Sequence, residues 1–221
     1  MFRLGVILKD CPIHYAASHV ETQWESTVKL LHIDSSILGE NSASRTLTRE
    51  IVSRWRAGHP HIEVKYLDLA AAAQLPHLTA GSLAQADQAE AARNAEALSD
   101  FLAADVVVLG APTYNFSIPS QLKAWIDRIT VAGKTFRYTA SGPQGLAGGK
   151  RLIVAVSRGG VYPPNAPGEF VESYLKFVFG FLGIEDIGFV RAEGLAISPE
   201  HRQTGLNAAL AAIEAPLAVA A

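Results

Sequence analysis

Three stretches of the 221-residue chain carry residue types that can do chemistry at a useful spacing. The first is Asp34-Ser35-Ser36 followed by Ser42-Ala43-Ser44, just ahead of an apolar stripe of helical spacing, Leu47, Ile51, Val52 and Trp55. Hydroxyls at a helix start, next to N–H groups that the helix leaves unpaired, suit a phosphate. The three-glycine dinucleotide fingerprint and the lysine-bearing phosphate loop are both missing, so one phosphate fits better than a pyrophosphate. Arg45 could assist; simple helix capping is the alternative use of these serines. The second stretch, Ala111-Pro112-Thr113-Tyr114-Asn115-Phe116-Ser117-Ile118-Pro119, sets two aromatics on a proline-bracketed loop. Such a loop can wall in a flat ligand and offer it backbone N–H groups; ordinary core packing is the alternative. The third, Ser157-Arg158-Gly159-Gly160, puts two glycines directly after an apolar run, where backbone can approach a ligand face or simply turn.

These loops need elements to hold them. Val28–Ile33 reads as a buried strand and Val106–Gly110 as a central one, by unbroken apolar and β-branched content. Leu152–Val156 and Ile187–Val190 read the same way, whereas Ile62, Val64 and Tyr66 alternate as an edge strand does. Helical segments fall between them: one ended by Gly58 and Pro60, then Ala91–Leu102, then the stripe Leu122, Ile126 and Ile129. Two more follow, over Pro167–Leu182 and along Leu206, Leu210, Ile213 and Leu217. Strand and helix alternate five times, which predicts an α/β fold with a mostly parallel sheet and helices on both faces. Gly133–Gly149 breaks the rhythm and reads as a hairpin or flap. Residues 1–27 lack a period and read as an extension of unknown role, with one domain over 28–221.

Composition removes several function classes. With 19 basic and 21 acidic residues the net charge is -2, so no basic excess exists to bind nucleic acid. The densest apolar run, Phe177–Ile184, is far short of the roughly 20 residues a bilayer requires. Leu4–Leu8 is likewise too short for a secretory leader, and a cytoplasmic protein without membrane partners is expected. The single Cys11 builds neither an intrachain disulfide nor a cysteine-ligated metal site. The seven histidines are scattered, and His32 inside a predicted strand reads as structural. Their placement suggests neither a catalytic triad nor a metal site.

Taken in order, the loops resemble the FMN-dependent NADH-azoreductase family and the related NAD(P)H:quinone oxidoreductases. The most specific pieces are Pro-Thr-Tyr-Asn-Phe at 112–116, Thr-Phe-Arg-Tyr-Thr at 135–139 and Ser-Arg-Gly-Gly at 157–160. The resemblance implies a flavodoxin-like three-layer sandwich around a five-stranded parallel sheet of order 2-1-3-4-5. It implies FMN, with the phosphate at Ser36, Ser42, Ala43 and Ser44. The ring would lie along Pro112, Thr113, Tyr114, Asn115 and Phe116 on one side and Ser157, Arg158, Gly159 and Gly160 on the other. Phe136, Tyr162 and Val178 match substrate-pocket positions, and Phe136 from the flap would cover the site. Family members often carry methionine where Thr113 stands, histidine at Tyr162 and phenylalanine at Val178, so substrate preference is open.

The implied activity passes two electrons from NADH or NADPH to quinones and aromatic azo compounds, with the flavin N5 as hydride carrier and ping-pong kinetics. A flavodoxin-like electron carrier or regulatory flavin-binding protein is the alternative; carriers usually run more acidic and need no flap. Phe170, Tyr174, Phe177 and Phe181 form one apolar stripe and Val171, Leu175, Val178 and Leu182 its neighbour. That width exceeds what one sheet face requires; merged core stripes are the alternative, and a homodimer with the sites at its interface fits both the pattern and the resemblance.

Overall fold

Each buried strand sits where the sequence puts its apolar runs, and a capping side chain sets where most of the helices begin. A computed structural model describes residues 27–71, 75–84, 86–163 and 166–213; the expectations for residues 1–26 and for Leu217 lie outside these. In chain order the sheet strands are β1 (Lys29–Asp34), β2 (Glu63–Asp68), β3 (Val106–Pro112), β6 (Arg151–Ser157) and β7 (Asp186–Ala192). They are all parallel, in the order β2-β1-β3-β6-β7. Between β3 and β6 the chain inserts an antiparallel hairpin, β4 (Phe136–Thr139) and β5 (Gly142–Gly145), which stands outside the sheet. The break in rhythm at Gly133–Gly149 is this hairpin.

Because side chains alternate along a strand, the sheet separates two cores. Leu30, Val106, Val108 and Ala155 pack with α1 (Ala43–Gly58) and α6 (Pro199–Ala211). Leu31, Ile33, Val107, Leu109 and Val154 pack with α3 (Gln88–Ala103), α4 (Ser120–Ile129) and α5 (Val171–Phe181). The second core centres on Phe101, Trp125 and Phe179, whose ring centroids lie 5.8 to 6.4 Å apart. Such pairs each add about 0.5–1.5 kcal/mol beyond their area burial.

Several boundaries differ from the sequence-based expectation, each for a local reason. α3 starts at Gln88 because the Asp87 carboxylate accepts from the N–H groups of Ala89 and Glu90. A four-residue helix, α2 (Ala80–Leu83), has a reciprocal capping box between Thr79 and Ser82 and carries too few residues to show a period. α5 is shorter than Pro167–Leu182: residues before Val171 form turns, and the Glu169 carboxylate accepts from Glu172 N and Ser173 N in place of a further helical turn. α6 starts well before Leu206, at Pro199, with the Ser198 hydroxyl capping His201 N. Among the described residues no helix is long and apolar enough to cross a membrane.

Candidate functional site

Strand order reverses between β1 and β3, and the crevice outside the carboxyl ends of strands at such a point is where open parallel sheets bind ligands. The three loops singled out by sequence leave β1, β3 and β6 at that end, and direct hydrogen bonds join them. Ser36 Oγ lies 3.1 Å from the Tyr114 hydroxyl, and Ser35 Oγ donates to the Gly110 carbonyl at 2.6 Å. Thr113 N donates to the Ser157 carbonyl at 2.8 Å.

In the first loop a 3₁₀ turn over Gly39–Asn41 leads into Ser42, which caps α1 by accepting from Arg45 N at 3.2 Å. Ser42 Oγ and Ser44 Oγ are 3.1 Å apart, and both serines are buried with Ser36. The serines therefore cap the helix and line its start at once; the two uses are not exclusive. The first turn of α1 carries no acidic residue, which leaves the positive end of its dipole uncompensated by side chains.

Directly beneath lies a buried carboxylate. Asp34 accepts from Thr48 Oγ1 at 2.8 Å and from the Tyr66 hydroxyl at 3.2 Å, with His32 Nε2 at 3.6 Å and Arg45 Nη1 at 3.7 Å. Burial pushes this carboxyl up, but His32, Thr48 and Arg45 outweigh it and hold it below its ordinary range. Burial and the neighbouring carboxylates push the Tyr66 hydroxyl the other way, up to about 12. The same crowding explains a glycine inside an otherwise branched strand. A β-carbon at Gly110 would stand 2.9 Å from Asp34 Oδ1 and 3.3 Å from Thr48 Cγ2.

The second loop closes on itself. Tyr114 and Ser117 exchange N–H···O bonds of 2.9 and 3.0 Å across Asn115 and Phe116, whose φ angles are +48° and +67°. Two successive positive φ values make this a type I′ turn, the geometry that favours Asn-Gly. A phenylalanine in that position costs about 1–3 kcal/mol, a strain that functional loops retain because the surroundings over-determine it. The turn projects Phe116, which is 59% exposed. Thr113 Oγ1 is buried without a hydrogen-bond partner among the described residues.

The third loop departs from expectation in one respect. Arg158 was placed among ligand contacts, yet its side chain is 4% exposed and fully committed to protein. Its guanidinium donates to Glu172 at 2.6 Å, Glu169 at 2.9 Å and Glu193 at 3.0 Å. Glu172 is held a second time, by Arg191 at 2.6 and 2.7 Å. Arg158 also lies 5.1 Å over the Tyr162 ring, and Tyr162 N donates to Glu193. Any part this arginine plays toward a ligand falls to its backbone. None of the three glutamates carried a sequence signal, because each is an ordinary charged residue read alone.

The pocket residues separate into two groups. A β-carbon at Gly168 would stand 3.5 Å from the Tyr162 ring and 3.6 Å from that of Phe116, so these aromatics from different loops flank one glycine. Phe136 belongs to the larger core, and Val178 is half-buried against it. Phe136 is 9% exposed, with its ring 4.7 Å from Phe181 and 5.5 Å from Tyr138. The first residue of β4 is thus buried, and the hairpin's exposed aromatic is Tyr138.

Known proteins share this fold. A family model described as flavodoxin-like fold matches residues 28–217. The chain is 58% identical over 188 residues to an FMN-dependent NADH:quinone oxidoreductase 1 of Xanthomonas euvesicatoria, covering 84% of this chain and 95% of that one. It is 52% identical over 204 residues to the protein of the same name from Pseudomonas putida, covering 88% and 100%. Among solved structures, an azoreductase from Bacillus anthracis superimposes with a TM-score of 0.73 at 32% identity, covering 84% of this chain and 96% of that one. An FMN-dependent NADH-azoreductase of that species, solved in complex with FMN, gives 0.73 at 28% identity, covering 85% and 98%.

Proposed function

Since the chain belongs to the FMN-dependent NADH:quinone oxidoreductase and azoreductase family of the flavodoxin-like fold, we propose that it is an FMN enzyme passing two electrons from NADH to quinones and aromatic azo compounds. The observation that carries this reading is the direct bonding of the three strand-end loops into one site at the reversal of strand order.

The residues present fit the cofactor. Ser36, Ser42 and Ser44, with the first-turn N–H groups of α1, supply donors for one phosphate, and no acid in that turn opposes it. The partnerless Thr113 Oγ1 and the backbone of residues 112–116 supply polar contacts for a ring edge, and residues 157–160 flank the other side. When bound, FMN supplies a two-electron hydride acceptor and donor. The chain supplies position and shape. Phe116 and Tyr162 stand together beside Gly168 at the edge of these loops, and donor and acceptor would occupy one ring face in turn. Sharing one space predicts ping-pong kinetics. Exposed Phe170, just before α5, and Phe177 on it support a homodimer. Residues 28–221 form the FMN domain, with 1–27 added to it.

The test is the visible spectrum of the purified protein with excess FMN removed, then anaerobic NADH, then a quinone. Bleaching by NADH, recovery on adding quinone and parallel double-reciprocal plots are expected. Failure to retain or take up FMN, or flavin that NADH leaves oxidised, would remove the reading.

A further inference from the structure

We propose that Arg45 is a positioning residue for the phosphate end of the cofactor, acting through the backbone of the first loop without touching the phosphate. The inference rests on the FMN reading above. An arginine in the first turn of a helix is out of place electrostatically, because the dipole there favours anions. The structure gives the reason for its presence. Nη2 and Nη1 pair with the two Asp68 oxygens at 2.7 and 2.9 Å, and Nη1 also donates to the Tyr66 hydroxyl at 3.0 Å. The remaining edge of the fork, Nε and Nη2, reaches the Ser36 carbonyl at 3.2 and 2.8 Å. The guanidinium is thus anchored on β2 and pulls one peptide of the first loop toward the sheet edge.

That peptide matters because the Ser36 side chain turns the other way. With its carbonyl held by Arg45, Ser36 has its hydroxyl within 3.1 Å of Tyr114 Oη, and Leu38 N donates to the same hydroxyl. Arg45 therefore fixes where Ser36 Oγ stands relative to Ser42, Ser44 and the α1 start. Its charge has a second effect. Asp34 and Asp68 lie beside it, and without a cation between them both carboxylates would oppose a dianion approaching α1. A planar fork does both tasks, and an ammonium group cannot make the paired contacts to Ser36 and Asp68 at once.

The phosphate is the only chemical difference between FMN and riboflavin, so the pair separates this role from general stability. Cofactor-free full-length protein is titrated with each flavin, following quenching of flavin fluorescence, for wild type, Arg45→Lys and Arg45→Gln. Expected is a loss of FMN affinity of about tenfold or more in Arg45→Gln, with riboflavin affinity changed less than about threefold. Arg45→Lys, which keeps the charge and loses the fork, falls between, and it decides the matter if the glutamine variant does not fold. Equal losses for both flavins would make Arg45 a purely structural residue and overturn the inference. Unchanged FMN affinity in either folded variant would overturn it too. Wild-type protein that takes up neither flavin would instead refute the FMN reading.

Discussion

Replacing Arg158 by methionine keeps most of its volume and removes its charge from among three carboxylates. Glu169, Glu172 and Glu193 each lose a hydrogen bond of 2.6 to 3.0 Å, and the Tyr162 ring loses the cation above it. Removing one partner of a buried ionic cluster costs about 3–5 kcal/mol, because the charge left behind is neither hydrated nor paired. Glu172 keeps its paired contacts to Arg191 and the nearby Lys176, which places this case near the lower bound. About 3 kcal/mol, at roughly 2–4 °C per kcal/mol for a chain of this size, lowers the melting temperature by about 6–12 °C. The loss depends on pH. Burial pushes the Glu172 carboxyl up, but Arg191, Arg158 and Lys176 outweigh it and hold it below its ordinary value of 4.5. A carboxyl lowered by folding contributes stability above its unfolded value and loses it as pH falls through the folded one. Without Arg158 that contribution shrinks, so the gap between wild type and variant is widest near neutrality and closes as the carboxylates protonate. Urea denaturation at pH 7, 5.5 and 4, with FMN at one fixed excess, measures it. A gap under about 1 kcal/mol at pH 7, or one that does not narrow on acidification, would refute the reasoning.

Three further outcomes are expected. Phe116→Gly relieves a positive φ and should raise stability by up to about 1 kcal/mol while increasing KM for the electron acceptor, read by denaturation and steady-state kinetics. A β-carbon at Gly145 would fall 2.2 Å from Gly183 N, so Gly145→Ala should displace the hairpin from the end of α5 and destabilise by about 3 kcal/mol or more, seen as a lower urea midpoint. Protein lacking residues 1–27 should keep FMN affinity within about threefold, since every loop of the site follows Val28; a larger loss in the flavin titration would give the extension a part in the site.

The parallel strands were legible because strands covered on both faces must be apolar throughout, as Val106–Leu109 are. Two of the loops were legible because their chemistry is local: hydroxyls at a helix start, and aromatics between two prolines. What stayed hidden depends on direction and distance. Ser-Arg-Gly-Gly says nothing of where the arginine points, and the answer lies in glutamates 11, 14 and 35 residues away. Phe136 was expected as a cover through the resemblance; it lies buried against Phe181, while Tyr138, two residues on and on the same face of the strand, is the exposed aromatic. Arg45 was noticed as a cation near a phosphate site; that Asp68 would claim it depends on β2 lying beside β1.

The bond between Ser36 and Tyr114 spans 78 positions of sequence, and the one from Thr113 to Ser157 a further 44. No hairpin, helix pair or half-sheet contains the whole set, so the binding surface comes into being only with the last stages of non-local closure, the slow events in chains of this topology. A ligand that recognises it binds the native state and nothing less, and at a hundredfold excess over its dissociation constant adds about 2.7 kcal/mol to the stability of every native contact together. Where the cofactor is scarce, the same chain should therefore open more often and be cleaved faster by a protease, with no change in its sequence.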